Sequence, residues 1–217
     1  MNLIISTLIE ANKLLDNQDY YNALNCFETV LAIEPANNLA IIGKTVCLYY
    51  LKSDENTDLI KFYKNKLNSH LKLVELYGNE KFSETIEECD RILKQDKHNF
   101  NALAFKFSSQ YELTNYEDAL DTCDKLLELD PDDNVIIYAK ATTLYKLNIY
   151  EEAIEYYDKI LEVANNFNAS FFKAASLLIL NRFDEALKSC EDALMIDNEN
   201  NDAKALKQLI EYKISQK

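Results

Sequence analysis

The apolar positions of this chain recur at two scales. Within short segments they keep helical spacing: from Ala119 to Leu129, the residues Ala119, Leu120, Cys123, Leu126 and Leu127 mark one side of a helix. Over longer spans the same frame returns. Tyr116-Glu117-Asp118-Ala119, Tyr150-Glu151-Glu152-Ala153 and Phe183-Asp184-Glu185-Ala186 stand 34 and 33 residues apart. Phe82-Ser83-Glu84-Thr85 and Tyr20-Tyr21-Asn22-Ala23 fit the same frame, so the chain is an array of like units rather than one irregular core.

With registers opening at Ile4, Lys66, Phe100, Asn134 and Phe167, whole columns align. The seventeenth reads Tyr20, Phe82, Tyr116, Tyr150, Phe183, and the twenty-first Leu24, Ile86, Leu120, Ile154, Leu187. The twenty-eighth is leucine throughout: Leu31, Leu93, Leu127, Leu161, Leu194. Each unit reads as two helices joined by a short turn. Small residues at Ala11, Ala141 and Ala174, and in the Ala119 column, let the paired helices approach closely. Asn115, Asn148 and Asn181 fall where the chain must turn, and asparagine tolerates left-handed backbone better than most residues. The acidic pairs that follow occupy the first turn of the next helix, where they complement its dipole by about 0.3–1 kcal/mol each. Pro35 and Pro131 stop second helices, because proline cannot continue the hydrogen-bond ladder.

The frame breaks between Pro35 and Lys66. Leu39 to Leu51 reads as a first helix, but Lys52-Ser53-Asp54-Glu55-Asn56 replaces the usual turn and the next register opens early. From Thr57 to Tyr77 there is no Gly or Pro, and Leu59, Tyr63, Leu67, Leu71 and Val74 keep helical spacing. The expectation is a shortened second helix running on into the following first helix; two helices kinked near Asn68-Ser69 are the alternative. Asn201 to Lys217 carries Ala203, Leu206, Leu209, Ile210 and Ile214 on one side, as a helix capping the last repeat would.

These columns resemble the tetratricopeptide repeat, a 34-residue helix-turn-helix unit, over nearly the whole chain, and Asn134 to Asn166 matches it most fully. The resemblance implies an all-α, right-handed α-solenoid forming a single domain over residues 1–217. Its repeats would fall at about 4–37, a degenerate 38–65, 66–99, 100–133, 134–166 and 167–200, with a capping helix at 201–217.

Composition narrows the chemistry. Among 217 residues there are 2 Gly and 2 Pro, too few for a glycine-rich phosphate cradle. The formal charge of −14 makes nucleic acid and anionic membrane surfaces poor partners, since such binding relies on Lys and Arg. The 5 cysteines, Cys26, Cys47, Cys89, Cys123 and Cys190, include no Cys-x-x-Cys pair, which points to reduced thiols in a cytoplasm rather than a disulfide frame or zinc site. Cys89, Cys123 and Cys190 share the twenty-fourth column and are expected in the core. His70 and His98 have no matched ligand spacing and are expected at the surface. Met1-Asn2-Leu3-Ile4-Ile5 has no basic run before it and Glu10 interrupts it, which does not make a signal peptide. No stretch approaches a membrane span. No nucleophile stands in a catalytic motif, so neither an enzyme, a metal site nor a cofactor is expected.

What remains is binding. In the family that the columns resemble, the concave face is lined by first-helix positions two, five, nine and twelve, and chaperone-binding members clamp a terminal carboxylate with Lys, Asn and Arg. Here Asn12 fits one asparagine site, but Leu8 replaces the accompanying lysine, and Ala104, Ser108, Ala139, Asn168 and Phe172 meet the rest of the clamp. Binding of Hsp70 or Hsp90 tails is therefore disfavoured. The groove positions offer instead Ala104, Ser108 and Tyr111, then Tyr138, Thr142 and Tyr145, then Phe171, Ala175 and Leu178. That lining suits a protein or peptide partner, presented as an extended segment or the apolar face of a helix. A structural module that self-associates into a homo-oligomer through this face, or shields a dedicated partner subunit, is the other reading.

Overall fold

The computed structural model describes residues 3–52 and 58–216, with side chains for 3–51 and 67–216. Among these are twelve α-helices and no strand: α1 (Leu3–Asp16), α2 (Tyr20–Ile33), α3 (Asn38–Lys52), α4 (Asp58–Gly78), α5 (Phe82–Leu93), α6 (Phe100–Glu112), α7 (Tyr116–Leu129), α8 (Asn134–Lys146), α9 (Tyr150–Val163), α10 (Phe167–Ile179), α11 (Phe183–Ile196) and α12 (Asn201–Ser215). This is the all-α helical-repeat fold that the columns imply.

Both kinds of connection follow from local chemistry. The first helix of a unit opens on an Asn or Asp whose side-chain oxygen accepts from a backbone N–H left over in the first turn. Asn37 accepts from Ala40, Asn99 from Ala102, Asp133 from Val135 and Ile136, Asn166 from Ala169, and Asn200 from Ala203. The same helix closes on a single residue with positive φ: Gln18, Glu80, Thr114, Asn148 or Asn181, between 58° and 62°. The next N–H then reaches back five residues to a first-helix carbonyl, as from Asn115 to Gln110 and from Ile149 to Leu144, both at 2.9 Å. Asn115 is thus not the left-handed residue expected of it; it lies one position later with φ −81°, and Thr114 takes φ 61°. The turn geometry fixes which position must be left-handed, and the residue there need not be the one best suited to it. Second helices α2 and α7 end at Ile33 and Leu129, two residues before their prolines.

The long helix expected across 57–77 is continuous from Asp58 to Gly78, about 32 Å at ~1.5 Å per residue, with no kink at Asn68-Ser69. Residue 57 and the irregular 53–56 lie outside the described residues.

Two compact units divide the chain, Met1–Phe105 and Lys106–Lys217, with the division inside α6. In the first, α1, α2, α3 and α4 pack in succession and α4 returns against α1, so that Leu8, Ala11, Leu15, Phe27, Leu67 and Leu71 share one core. Gly43 makes room in it: a β-carbon there would meet the buried Phe27 ring at 2.3 Å. In the second unit, α7 to α12 pack in succession, and the first helices α8, α10 and α12 also lie side by side. Two columns carry the inner contacts. Ala119, Ala153 and Ala186 have no exposed surface, nor do Cys123, Tyr157 and Cys190 in the twenty-fourth column. Lys140 pairs with Asp124, Lys173 with Asp158, and Lys207 with Glu191, tying each first helix to the second helix before it. These pairs are partly solvated, and each contributes at most about 1 kcal/mol.

Candidate functional site

Positions five, nine and twelve of a helix lie on one face, because side chains four and three apart stack along the axis. On α8 these are Tyr138, Thr142 and Tyr145; on α10 they are Phe171, Ala175 and Leu178; all six are partly exposed. The end of α6 adds Ser108 and Tyr111 to the same unit, both partly exposed. Tyr145 lies edge-on to Phe172, with ring centres 5.4 Å apart, and Phe171 packs against Phe167 and Phe172. Eight of the expected residues are therefore brought onto one run of helices in the second unit.

Ala104 and Asn12 belong to the first unit and are treated by themselves. Ala104 is partly exposed on α6. Asn12 is on α1, whose buried stripe Leu8, Ala11 and Leu15 packs with Leu67 and Leu71 of α4. The Asn12 Oδ1 is sealed from solvent and has no hydrogen-bond partner among the described residues. At position five of α1 stands Leu8, which is buried, whereas Ala104, Tyr138 and Phe171 in the same column are partly open. The helix that runs on from the broken repeat covers this part of α1.

Electrostatics sharpen the face. Helices α8 and α10 contain lysines but no carboxylate, while α7, α9 and α11 carry acidic residues along their exposed sides and in each first turn. Burial is the main cause that raises the Tyr111, Tyr138 and Tyr145 phenols above their ordinary pKa, so all three remain protonated hydrogen-bond donors at neutral pH. No protein group among the described residues takes a hydrogen bond from the Tyr138 or Tyr145 hydroxyl.

Other candidate groups are not arranged for chemistry. His98 is exposed and His70 is partly exposed. The His70 ring stands edge-on to Phe105 at 5.7 Å between ring centres, and burial lowers its pKa. His70 also lines an open cleft of about 510 Å³ in the first unit, with Asn68, Ser69, Arg91 and Asp96. The Arg91 guanidinium is committed there to Glu88 and Ser69. Cys89, Cys123 and Cys190 are buried as expected; burial pushes the Cys123 thiol up to about 12, far from a reactive thiolate. Among the described residues, no helix is long and apolar enough to cross a membrane, and no three His, Cys, Asp or Glu residues gather as a metal-ligand set.

The helix pairs place the chain among known folds. A family model for subunit 3 of the anaphase-promoting complex (cyclosome) matches residues 112–193, well under half of the chain. A tetratricopeptide repeat protein from Parabacteroides merdae ATCC 43184 superposes over 99% of this chain and 75% of its own, at 19% identity and a TM-score of 0.61. The chain shares the tetratricopeptide-repeat fold. An RS-1 MamA double mutant (67% of this chain, 82% of that one, 15% identity, TM-score 0.64) and YrrB share the fold. YrrB is described as a tetratricopeptide-repeat protein with an unusual peptide-binding site (91% and 88% coverage, 14% identity, TM-score 0.60). No curated protein matches the sequence significantly.

Two further parts of the face are not marked by the groove columns of the sequence. The last register can be carried on from Asn201, which makes Ala205, Leu209 and Tyr212 of α12 the fifth, ninth and twelfth positions. Leu209 and Tyr212 are 45% and 58% exposed, and α12 lies against α10, so the capping helix continues the face. The second is Tyr157. It stands in the column that cysteine holds in three repeats, fully buried against the Tyr138 and Phe172 rings, each at 6.3 Å between ring centres. Its hydroxyl has no hydrogen-bond partner among the described residues, and burial, then Tyr138, Tyr145 and Tyr111, raise its pKa steeply.

Proposed function

We propose that the chain is a non-catalytic protein-interaction scaffold, binding a peptide or helical segment along the face of α8, α10 and α12. The fold class is in general one of protein-interaction scaffolds. One observation carries the finer reading: Tyr138, Tyr145 and Phe171 stay partly exposed on adjoining helices that bear no carboxylate, in a chain of formal charge −14. Aromatic anchors of this kind dominate protein contacts, because large rigid rings bury much apolar surface for little lost freedom. The peptide-binding site ascribed to YrrB supports a peptide as occupant here. The missing carboxylate clamp argues against Hsp70 and Hsp90 tails, the acidic balance against nucleic acid, and scattered cysteines without a Cys-x-x-Cys pair suit a cytoplasmic setting.

The test is a comparison of what the parent and the Tyr138→Ala/Tyr145→Ala double variant capture from native extract, each first shown to be helical and folded. A protein retained by the parent and lost with the variant supports the reading; identical captures contradict it. Exposed Leu209 and Tyr212 favour self-association as the second reading. Sedimentation separates the two, since self-association raises the sedimentation coefficient with concentration in the absence of any partner.

A further inference from the structure

We infer that the occupant of this face is an uncharged, proline-rich segment in the polyproline II conformation; the inference rests on the reading of α8, α10 and α12 as the binding face. The polar inventory of the face is one-sided. Tyr138 and Tyr145 present phenol hydroxyls that no protein group engages among the described residues. The Thr142 hydroxyl already bonds to the Tyr138 and Ala139 carbonyls of its own helix. The α8 and α10 part of the face thus offers donors and aromatic surface, and no carboxylate to receive a ligand's N–H groups; Asp202 and Glu211 belong to α12 at its end.

Ligand backbones differ in what they would bring to it. A helix has its carbonyls bonded internally, which leaves the phenols with no acceptor except a side chain. A β-strand brings N–H donors as well as carbonyls and needs a sheet edge, and the unit has no strand among its described residues. Polyproline II has no internal hydrogen bonds, so its carbonyls are free, and proline brings no N–H to satisfy. Its rings are flat apolar surfaces that stack on tyrosine and phenylalanine.

Spacing and charge agree. Every third residue of polyproline II returns to the same side after about 9 Å, three steps of ~3.1 Å. Neighbouring packed helices generally lie ~8–10 Å apart, a spacing of the same size as that repeat. A basic peptide would find its carboxylates mainly on α7, α9 and α11 and not on α8 or α10, and an acidic one would meet the repulsion of the chain's net charge.

The experiment is fluorescence anisotropy with labelled decaproline, against a Gly-Ser peptide and a neutral amphipathic helical peptide of equal length. The variants Tyr138→Phe and Tyr145→Phe keep the rings and remove only the hydroxyls, and circular dichroism checks their folding. Saturable decaproline binding is expected, little affected by salt and weakened roughly three- to tenfold by each hydroxyl removal, with none to the Gly-Ser peptide. Binding of the helical peptide alone, abolished by Tyr138→Ala, would overturn the proline inference and leave the binding face intact. Binding by no probe, or decaproline binding that neither Tyr→Phe change nor Tyr138→Ala alters, would overturn the inference; the latter result would overturn the face with it.

Discussion

Tyr157 occupies a position where Cys89, Cys123 and Cys190 stand in other repeats, and the larger side chain carries a hydroxyl into a place with no partner for it. A buried, unpaired polar group costs about 1–3 kcal/mol. Tyr157→Phe keeps the ring packed against Tyr138 and Phe172 and removes that cost, so chemical denaturation should show the variant more stable by about 1 kcal/mol. A destabilised variant would mean that the hydroxyl has a partner. The column itself was legible in the sequence, which marks Cys89, Cys123 and Cys190 as core. The hydroxyl's isolation was not, because it depends on rings from α8 and α10 that only packing brings together. The left-handed residue was half legible: Asn148 and Asn181 advertise it, while Gln18, Glu80 and Thr114 fill the same position without any chemical signature.

Helix pairing depends on the alanine column. Ala153 has no exposed surface and sits in a core with Ala141, Leu144, Tyr157 and Ile160. Ala153→Glu adds four heavy atoms and an unpaired charge at the closest approach of α8 and α9, at a cost of several kcal/mol. Thermal melts should show severe loosening that reaches the adjoining pairs, since repeat arrays sum local and neighbour terms. An unchanged melting temperature would refute the register. A second element-scale test concerns α4 and α5. Glu88 is only 5% exposed and accepts hydrogen bonds from Arg91 and from Lys72 of α4. The Arg91 hydrogen bond is the main cause holding its carboxyl below the ordinary range, opposed by burial and aided by Lys72. A depressed carboxyl stabilises the fold above its unfolded pKa of about 4.3, and that contribution disappears as pH falls through the lower folded value. Glu88→Gln should therefore melt below the parent at neutral pH, with the gap closing as pH drops below about 4. A gap independent of pH would show that Glu88 acts through packing alone. Leucine, aromatic and alanine columns announced these helices well. The return of α4 onto α1 was not announced, because the sequence register breaks between Pro35 and Lys66, and the closed surroundings of the Asn12 side-chain oxygen were not legible for that reason.

At the scale of the molecule, charge and apolar surface are sorted onto different helices. The second helices α7, α9 and α11 carry the carboxylates, and the first helices α8 and α10 carry tyrosine and phenylalanine with none. The account therefore predicts that affinity comes from burying the aromatic face, at about 25 cal/mol per Å², and responds only mildly to salt. An acidic outer surface holding a basic partner would instead lose affinity steeply as salt rises. The most direct test is a calorimetric titration of a captured partner against the parent, Tyr138→Ala, Tyr145→Ala and Phe171→Ala, at low and high salt. Each variant should lose on the order of 2 kcal/mol, roughly thirtyfold in affinity, with the parent nearly unchanged between salts. Parent-like binding by all three variants, together with loss of binding at high salt, would contradict the account and move the site to the acidic helices.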